Sequence, residues 1–147
     1  IDSNMEKSYE TGIASEYLVL SNLFRLGADA SISLGNKKAV DICIHRNDGQ
    51  TIYIDVKSVR GTCSIPVNNI VNSGDNVSKS GDNYYVVFVV YNNKFNDLTS
   101  VPDFYVVKRK EIAGRCYRAK DQARIHPKKH VPEYKDRWDL IVDNNKK

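Results

Sequence analysis

Three residues near the middle of the chain could do chemistry together: Asp41, Asp55 and Lys57. The stretch 40–60, VDICIHRNDGQTIYIDVKSVR, reads as a β-hairpin whose alternating runs, 41–46 and 51–59, flank Asn47-Asp48-Gly49. A two-residue loop at Asp48-Gly49 sets Asp41 against Val56 and leaves Asp41 and Asp55 on different faces. A three-residue loop with Gly49 left-handed pairs Arg46 with Gln50 instead. Asp41 then faces Asp55, Cys43 faces Tyr53 and His45 faces Thr51. In this second register Ile42, Ile44, Ile52, Ile54 and Val56 share one apolar face, while Asp41, Asp55 and Lys57 share the other. A slip of one residue scatters the apolar set, so the pattern selects the three-residue loop. Opposed residues have Cβ atoms about 4.5–5.5 Å apart. Two carboxylates that close repel unless a proton or a cation lies between them. Lys57 cannot easily bridge both; a divalent metal can. The plain alternative is a solvated sheet face with a structural ion pair.

The surrounding chain must hold this hairpin in place. Residues 3–26 predict a helix, with a capping box at Ser3-Asn4-Met5-Glu6, an apolar stripe of Ile13, Tyr17, Leu20 and Phe24, and Gly27 as the C-terminal cap. Gly12 and Glu16 lie on that helix. A short strand is expected at 30–34. Val67, Ile70 and Val71 suggest a short helix after Pro66, and 72–83, rich in Asn, Ser, Gly and Asp, a mobile surface loop. The run YYVVFVVY at 84–91 reads as a central strand buried on both faces and, at crossover distance from the hairpin, parallel to its second strand. A further strand is expected at 104–107 and a strongly basic helix at 111–123. Trp138, Leu140 and Ile141 would dock the C-terminus, with 143–147 frayed.

The chain has 147 residues, which suits one domain, here 1–147 with a basic C-terminal extension from about residue 108. No run approaches a membrane span, and no signal peptide is visible. Three cysteines without metal-ligand spacing favour reduced thiols in a cytoplasmic setting. The net charge of +4 is uneven: 1–75 holds 7 Lys/Arg against 9 Asp/Glu, and 76–147 holds 15 against 9. A basic half beside an acidic hairpin suggests a polyanion held near a metal site. Candidate contacts are Ser58 and Arg60 just past Lys57, Lys79 in the loop, and Arg115, Arg118, Lys120 and Arg124, which would line one helix. His126 and His130 are four apart but broken by Pro127, which makes a zinc site a poor reading.

The order helix–strand–hairpin–helix–strand, with Glu16, Asp41 and Asp55-Val56-Lys57, resembles the PD-(D/E)XK nuclease superfamily, which includes restriction enzymes, Holliday junction resolvases and homing endonucleases. GIASEYLVLSNLFRLG is similar to the first helix of that group and VDICIHRNDGQTIYIDVKS to its metal-binding hairpin, with Val40 standing where the name-giving Pro would be. The resemblance spans roughly residues 12–90. It implies an α/β restriction-endonuclease-like fold, a central mixed sheet of four to five strands flanked by helices, with an α-β-β-β-α-β core. It implies that Asp41, Asp55 and the Val56 carbonyl bind Mg²⁺, for which Mn²⁺ substitutes. Lys57 would then orient or deprotonate water, and Glu16 would reach the metal through water or hold a second ion. The implied activity is hydrolysis of DNA phosphodiesters by an endonuclease of homing, restriction or junction-resolving type, acting as a homodimer or homotetramer. The rival reading is an inactive DNA-binding or assembly module on the same fold, and a third is an RNA-processing nuclease.

Overall fold

The computed structural model describes residues 3–33, 40–71, 79 and 81–143. Helix α1, Ser3–Arg25, leads into β1, Asp29–Ile32, then β2, Ile42–His45, and β3, Thr51–Val59. After β4, Ile65–Pro66, and the single turn α2, Asn68–Val71, come β5, Tyr84–Val90, and β6, Asp103–Lys108. A 3₁₀ turn, Arg109–Glu111, opens into α3, Ile112–Arg115, and is followed by the hairpin β7, Tyr117–Ala119, and β8, Gln122–Ile125. Helix α4, Pro127–His130, and two 3₁₀ turns complete the described chain.

The main sheet has the order β1-β2-β3-β5-β6. All pairs are antiparallel except β3 with β5, which are parallel. It is thus the mixed five-stranded sheet expected, with β5 an interior strand between β3 and β6. The hairpin register is also as expected: Cys43 faces Tyr53 and His45 faces Thr51. The Arg46 amide donates to Gln50 O at 2.9 Å, and Gly49 adopts φ +84°, which only glycine holds without strain.

Each face of the sheet carries its own core. On one, Val19, Leu20 and Leu23 of α1 pack on Ile42, Ile44, Ile52, Ile54, Val87, Val89 and Val106, closed by Ile141 and Val142. On the other, Val86, Phe88, Val90, Tyr105 and Val107 meet Ile65, Val67, Ile70, Ile112, Ala123, Ile125 and Val131. β5 contributes to both cores, so its run needs no polar alternation. Each such aliphatic side chain contributes about 1.5–3 kcal/mol on burial.

Three expectations need correction. The stripe of α1 that faces the core is Thr11, Ser15, Glu16, Val19, Leu20 and Leu23, whereas Tyr17 is 48% and Phe24 55% exposed. Thr11 and Ser15 can be buried because their hydroxyls donate to the carbonyls of Lys7 and Thr11, each at 2.6 Å. The C-terminal end is as expected: Gly27 is left-handed (φ +82°), and the amides of Gly27 and Ala28 return to Phe24 O and Leu23 O.

The second correction concerns 111–123, which is not one helix. It is a single helical turn ending at Arg115, then a hairpin that joins β4 in a separate three-stranded sheet of order β4-β8-β7. Cys116 is extended, Lys120 turns the chain at φ +57°, and Ala123 and Ile125 point inward at strand spacing. Third, Asp143 is tied down rather than frayed: its Oδ2 accepts the Asn47 amide at 2.8 Å, and its Oδ1 pairs with Arg46 at 3.1 Å. Most of the loop expected at 72–83 and the tail 144–147 lie outside the described residues.

The left-handed turn residue gives a direct test of the register. Gly49→Ala should destabilise the protein by about 1–2 kcal/mol through backbone strain alone, since a Cβ there meets no atom within 4 Å. Gly49→Asn should cost less. Equal midpoints for all three proteins in urea unfolding would contradict the turn assignment.

Candidate active site

The site forms where the β2–β3 ladder stops. β2 pairs only with Thr51–Ile54, so the second half of β3 has a strand neighbour, β5, on one side alone. The Asp41 amide bonds Ile54 O at 3.0 Å, although Ile42 is already the partner of Ile54. Two residues thus face one, as in a β-bulge. Asp41 leaves the ladder instead of standing squarely opposite Asp55, and its carboxylate takes over the role of the missing strand. Its Oδ2 accepts the Val56 amide at 2.7 Å. Asp55 and Lys57 point to the face of Val86 and Phe88, their β5 partners.

Asp55 is 17% exposed. Burial raises its carboxyl above the ordinary carboxylate value, Arg109 and Lys79 pull it down, and the neighbouring Asp41 charge pushes it up. Asp41 and Asp55 are therefore electrostatically coupled, and Lys79 reaches the same site. Arg109 is the residue that sequence reasoning missed. It follows β6 directly, is 3% exposed, donates Nη1 to Asp55 Oδ2, and donates Nη2 to Asn69 O at 3.2 Å. Its Nε is buried without a hydrogen-bond partner among the described residues. In the sequence it sits inside Lys108-Arg109-Lys110, where nothing separates it from its solvated neighbours.

Lys57 lines an open cleft of about 590 Å³, and among the described residues it has no hydrogen-bond or ion-pair partner. The cleft runs between Lys7, Ser8, Thr11 and Gly12 of α1 and Asn68, Asn69 and Pro66 on the far side. Its floor is 56–60, so Val56, Ser58 and Arg60 all line it. A Cβ on Gly12 would meet nothing within 4 Å, so the glycine widens the cleft and makes no close strand contact. Arg60 fixes the cleft wall: it donates Nε to Thr11 Oγ1 at 2.5 Å and lies 3.9 Å over the Phe95 ring.

The other candidates divide. Glu16 is 8% exposed on α1, among side chains of the first core. Among the described residues no three His, Cys, Asp or Glu side chains gather as a metal cluster, so Glu16 does not form a compact triad with Asp41 and Asp55. Arg115 is committed to Glu133 and His130 O, each at 3.0 Å. Arg124 is committed to Ser64 Oγ at 2.7 Å and Ser64 O at 3.0 Å. Arg118 and Lys120 are exposed on the β7–β8 hairpin. The four arginines and lysines do not line a helix, but β8 runs beside Pro66, a cleft residue, so the hairpin adjoins the cleft. His126 donates its amide to His130 Nδ1 at 2.9 Å, which occupies one of the nitrogens a metal would need.

No protein-family model matches the chain, and no curated protein sequence does. Among solved structures, the bacterial homing endonuclease I-Ssp6803I is similar with a TM-score of 0.59 at 16% identity, over 90% of this chain and 88% of that one. Hjc, a Holliday junction resolvase from the archaeal hyperthermophile Archaeoglobus fulgidus, gives 0.48 at 15% identity, over 81% and 86%. The mixed five-stranded sheet flanked by helices is the restriction-endonuclease-like α/β fold that the sequence resemblance implies. At such identities the likeness is one of fold.

The environment of Asp55 has a signature in stability. A carboxyl whose folded pKa is raised contributes stability below its unfolded value and loses it as pH rises through the folded value. Asp55→Asn should therefore gain stability relative to the unaltered protein as pH rises from the acid range to neutrality. A difference in urea midpoints that moves the other way would show that the ionised form is the better accommodated one.

Proposed function

We propose that the protein is a Mg²⁺-dependent DNA endonuclease. The observation that carries this reading is a pair of coupled carboxylates, Asp41 and Asp55, with Lys57 two residues on along β3, lining the cleft and without a hydrogen-bond or ion-pair partner among the described residues. A lysine paired to its neighbouring acids would be a structural ion pair; Lys57 instead faces open space where a substrate can lie. The donor set suits a hard divalent cation, since two carboxylates suffice for Mg²⁺ when phosphate and water complete its oxygen shell.

Asp41 and Asp55 would hold Mg²⁺, aided by the Val56 carbonyl. When bound, the ion supplies Lewis-acid stabilisation of the phosphate oxygens. Lys57 orients the attacking water, accepts or relays its proton, and offsets the negative charge that builds on the phosphate oxygens. The water oxygen bonds to phosphorus as the bond to the 3′ oxygen breaks, leaving a 5′-phosphate and a 3′-hydroxyl. Ser58 and Lys79, with Lys120 and Arg118 on the adjoining hairpin, lie where a phosphate backbone can be tracked. Glu16 is proposed to act through water or a second ion. One such site cuts one strand, so cleavage of a duplex calls for a homodimer or homotetramer. Three unpaired cysteines suit a cytoplasmic home. No described helix is long and apolar enough to cross a membrane.

One observation favours the rival, a DNA-binding module without activity: Arg109 already takes one oxygen of Asp55. Metal separates the two readings. A working site should be stabilised against heat by Mg²⁺ or Mn²⁺, and an inactive one should not.

Supercoiled plasmid, linear duplexes, four-way junctions and RNA should be tested as substrates. Cleavage of DNA should require Mg²⁺ or Mn²⁺ and stop on chelation. Lys57→Ala should lower the rate by about 10²–10³-fold. Its stability should stay within about 0.5 kcal/mol, because no hydrogen bond or ion pair to a described residue is lost. Persistent cleavage by this variant would remove Lys57 from the mechanism.

DNA affinity measured against salt gives a separate check on the hairpin. Lys120→Ala should reduce the slope of log K on log salt by about 0.9, whereas Arg115→Ala, whose charge already serves Glu133, should barely change it. Equal slopes in both variants would place the DNA elsewhere.

A further inference from the structure

Two cations act on Asp55 directly and a third follows two residues along the strand, and these differ in kind. Lys57 looks into the cleft, Lys79 arrives from the loop after α2, and Arg109 is built into the fold. Arg109 sits at the end of β6, on the face of the sheet opposite α1, with its guanidinium almost sealed from water. One arm holds Asp55 Oδ2; the other holds the Asn69 carbonyl, and Asn69 lines the cleft. The buried Nε has no hydrogen-bond partner among the described residues, which therefore do not satisfy the arginine fully. A site that only needed to be filled would be better served by an apolar side chain or a fully bonded one.

The consequences for a cation follow from charge and geometry. Asp41 spends Oδ2 on the Val56 amide, and Asp55 spends Oδ2 on Arg109. Asp55 Oδ1 accepts no hydrogen bond from the described residues, which leaves Asp55 one free oxygen. Among the groups that act on Asp55 directly, the formal charges of Asp41, Asp55, Lys79 and Arg109 cancel; without Arg109 they leave one negative charge. A fixed positive charge beside a carboxylate weakens its attraction for any second cation, most strongly where water is excluded.

We propose that Arg109 is a positioning residue that sets the metal affinity of the Asp41–Asp55 site, acting as a resident counter-cation that fixes Asp55 and keeps free protein poorly loaded. Metal then binds well only when a phosphate in the cleft brings further negative charge and further oxygens. The ion is thereby coupled to substrate, and a protein without DNA carries little active metal. This inference rests on the reading of Asp41 and Asp55 as the metal pair.

The test measures metal binding and needs no cleavage. Mn²⁺ is titrated calorimetrically into the DNA-free protein and into Arg109→Gln, Arg109→Lys and Asp55→Asn. Circular dichroism confirms that each is folded. Arg109→Gln should bind Mn²⁺ at least tenfold more tightly, and Arg109→Lys, which keeps the charge, should stay within about threefold of the unaltered protein. A merely structural arginine predicts equal or weaker binding in a folded Arg109→Gln protein, and that result would overturn the proposal.

A second measurement uses the unaltered protein, in case the glutamine variant does not fold. The buried Arg109 Nε–H should give a protected nitrogen resonance that shifts when Mg²⁺ is added, while that of Arg124, engaged with Ser64, should not. An Arg109 resonance unmoved at saturating Mg²⁺ would also overturn the proposal. Mn²⁺ binding that survives Asp55→Asn, or that is absent from every protein, would instead remove the metal-pair reading itself and the inference with it.

Discussion

The hydrogen bond from the Val56 amide to the Asp41 carboxylate is where sheet pairing ends and the site begins. A strand that simply lost its neighbour would expose a row of amides and carbonyls, costly if buried and adhesive if not. Here the bulge at Asp41 turns a side chain into the next acceptor, so β3 continues past the end of β2 with its amide satisfied. The same bond fixes one carboxylate beside the strand that carries the other. Asp55 and Lys57 follow on that strand, and the cleft opens along the edge that β2 leaves uncovered.

Two cores, one on each face of the sheet, make this edge rigid from both sides. α1 is held by its apolar stripe, by the buried Ser15–Tyr91 hydrogen bond of 2.8 Å, and by the chain of contacts from Thr11 through Arg60 to Phe95. The opposite wall is held by the small second sheet. The Val67 amide bonds Ala123 O at 2.8 Å, and the Ala123 amide bonds the Asn68 side chain at 2.6 Å. Arg109 joins that wall to Asp55 directly. The cleft is thus the gap between two packed layers, with its charged lining on α1 and β3 and a polar and apolar wall opposite.

Much of this was legible in the sequence where a strict period met a unique turn. The hairpin register followed from five apolar residues on one face and from Gly49. The central strand followed from an unbroken apolar run, and the end of α1 from Gly27. The failures have equally definite causes. Thr11 and Ser15 hide their hydroxyls against the helix backbone, so the buried stripe of α1 is less apolar than the exposed one carrying Tyr9, Tyr17 and Phe24. The β7–β8 hairpin has only Ala123 and Ile125 to mark its inner face, and Arg118, Ala119, Lys120, Gln122 and Arg124 are types that also favour helices. Arg109 was illegible because its role depends on a contact across 54 positions, and a buried carboxylate says that a cation is needed without saying which. Asp41 was expected on the strand opposite Asp55 but lies just before it, because a bulge leaves no mark in a pattern of period two.

The central claim is that Asp41 and Asp55 form a divalent-metal site beside Lys57. The most direct measurement is anomalous diffraction from crystals grown with a short DNA duplex and Mn²⁺. The account predicts one strong peak between Asp41 and Asp55, at about 2.1–2.2 Å from an oxygen of each and within reach of a phosphate in the cleft. Density for DNA in the cleft with no anomalous peak there, and Arg109 alone on Asp55, would contradict it and leave a nuclease fold that binds without cutting.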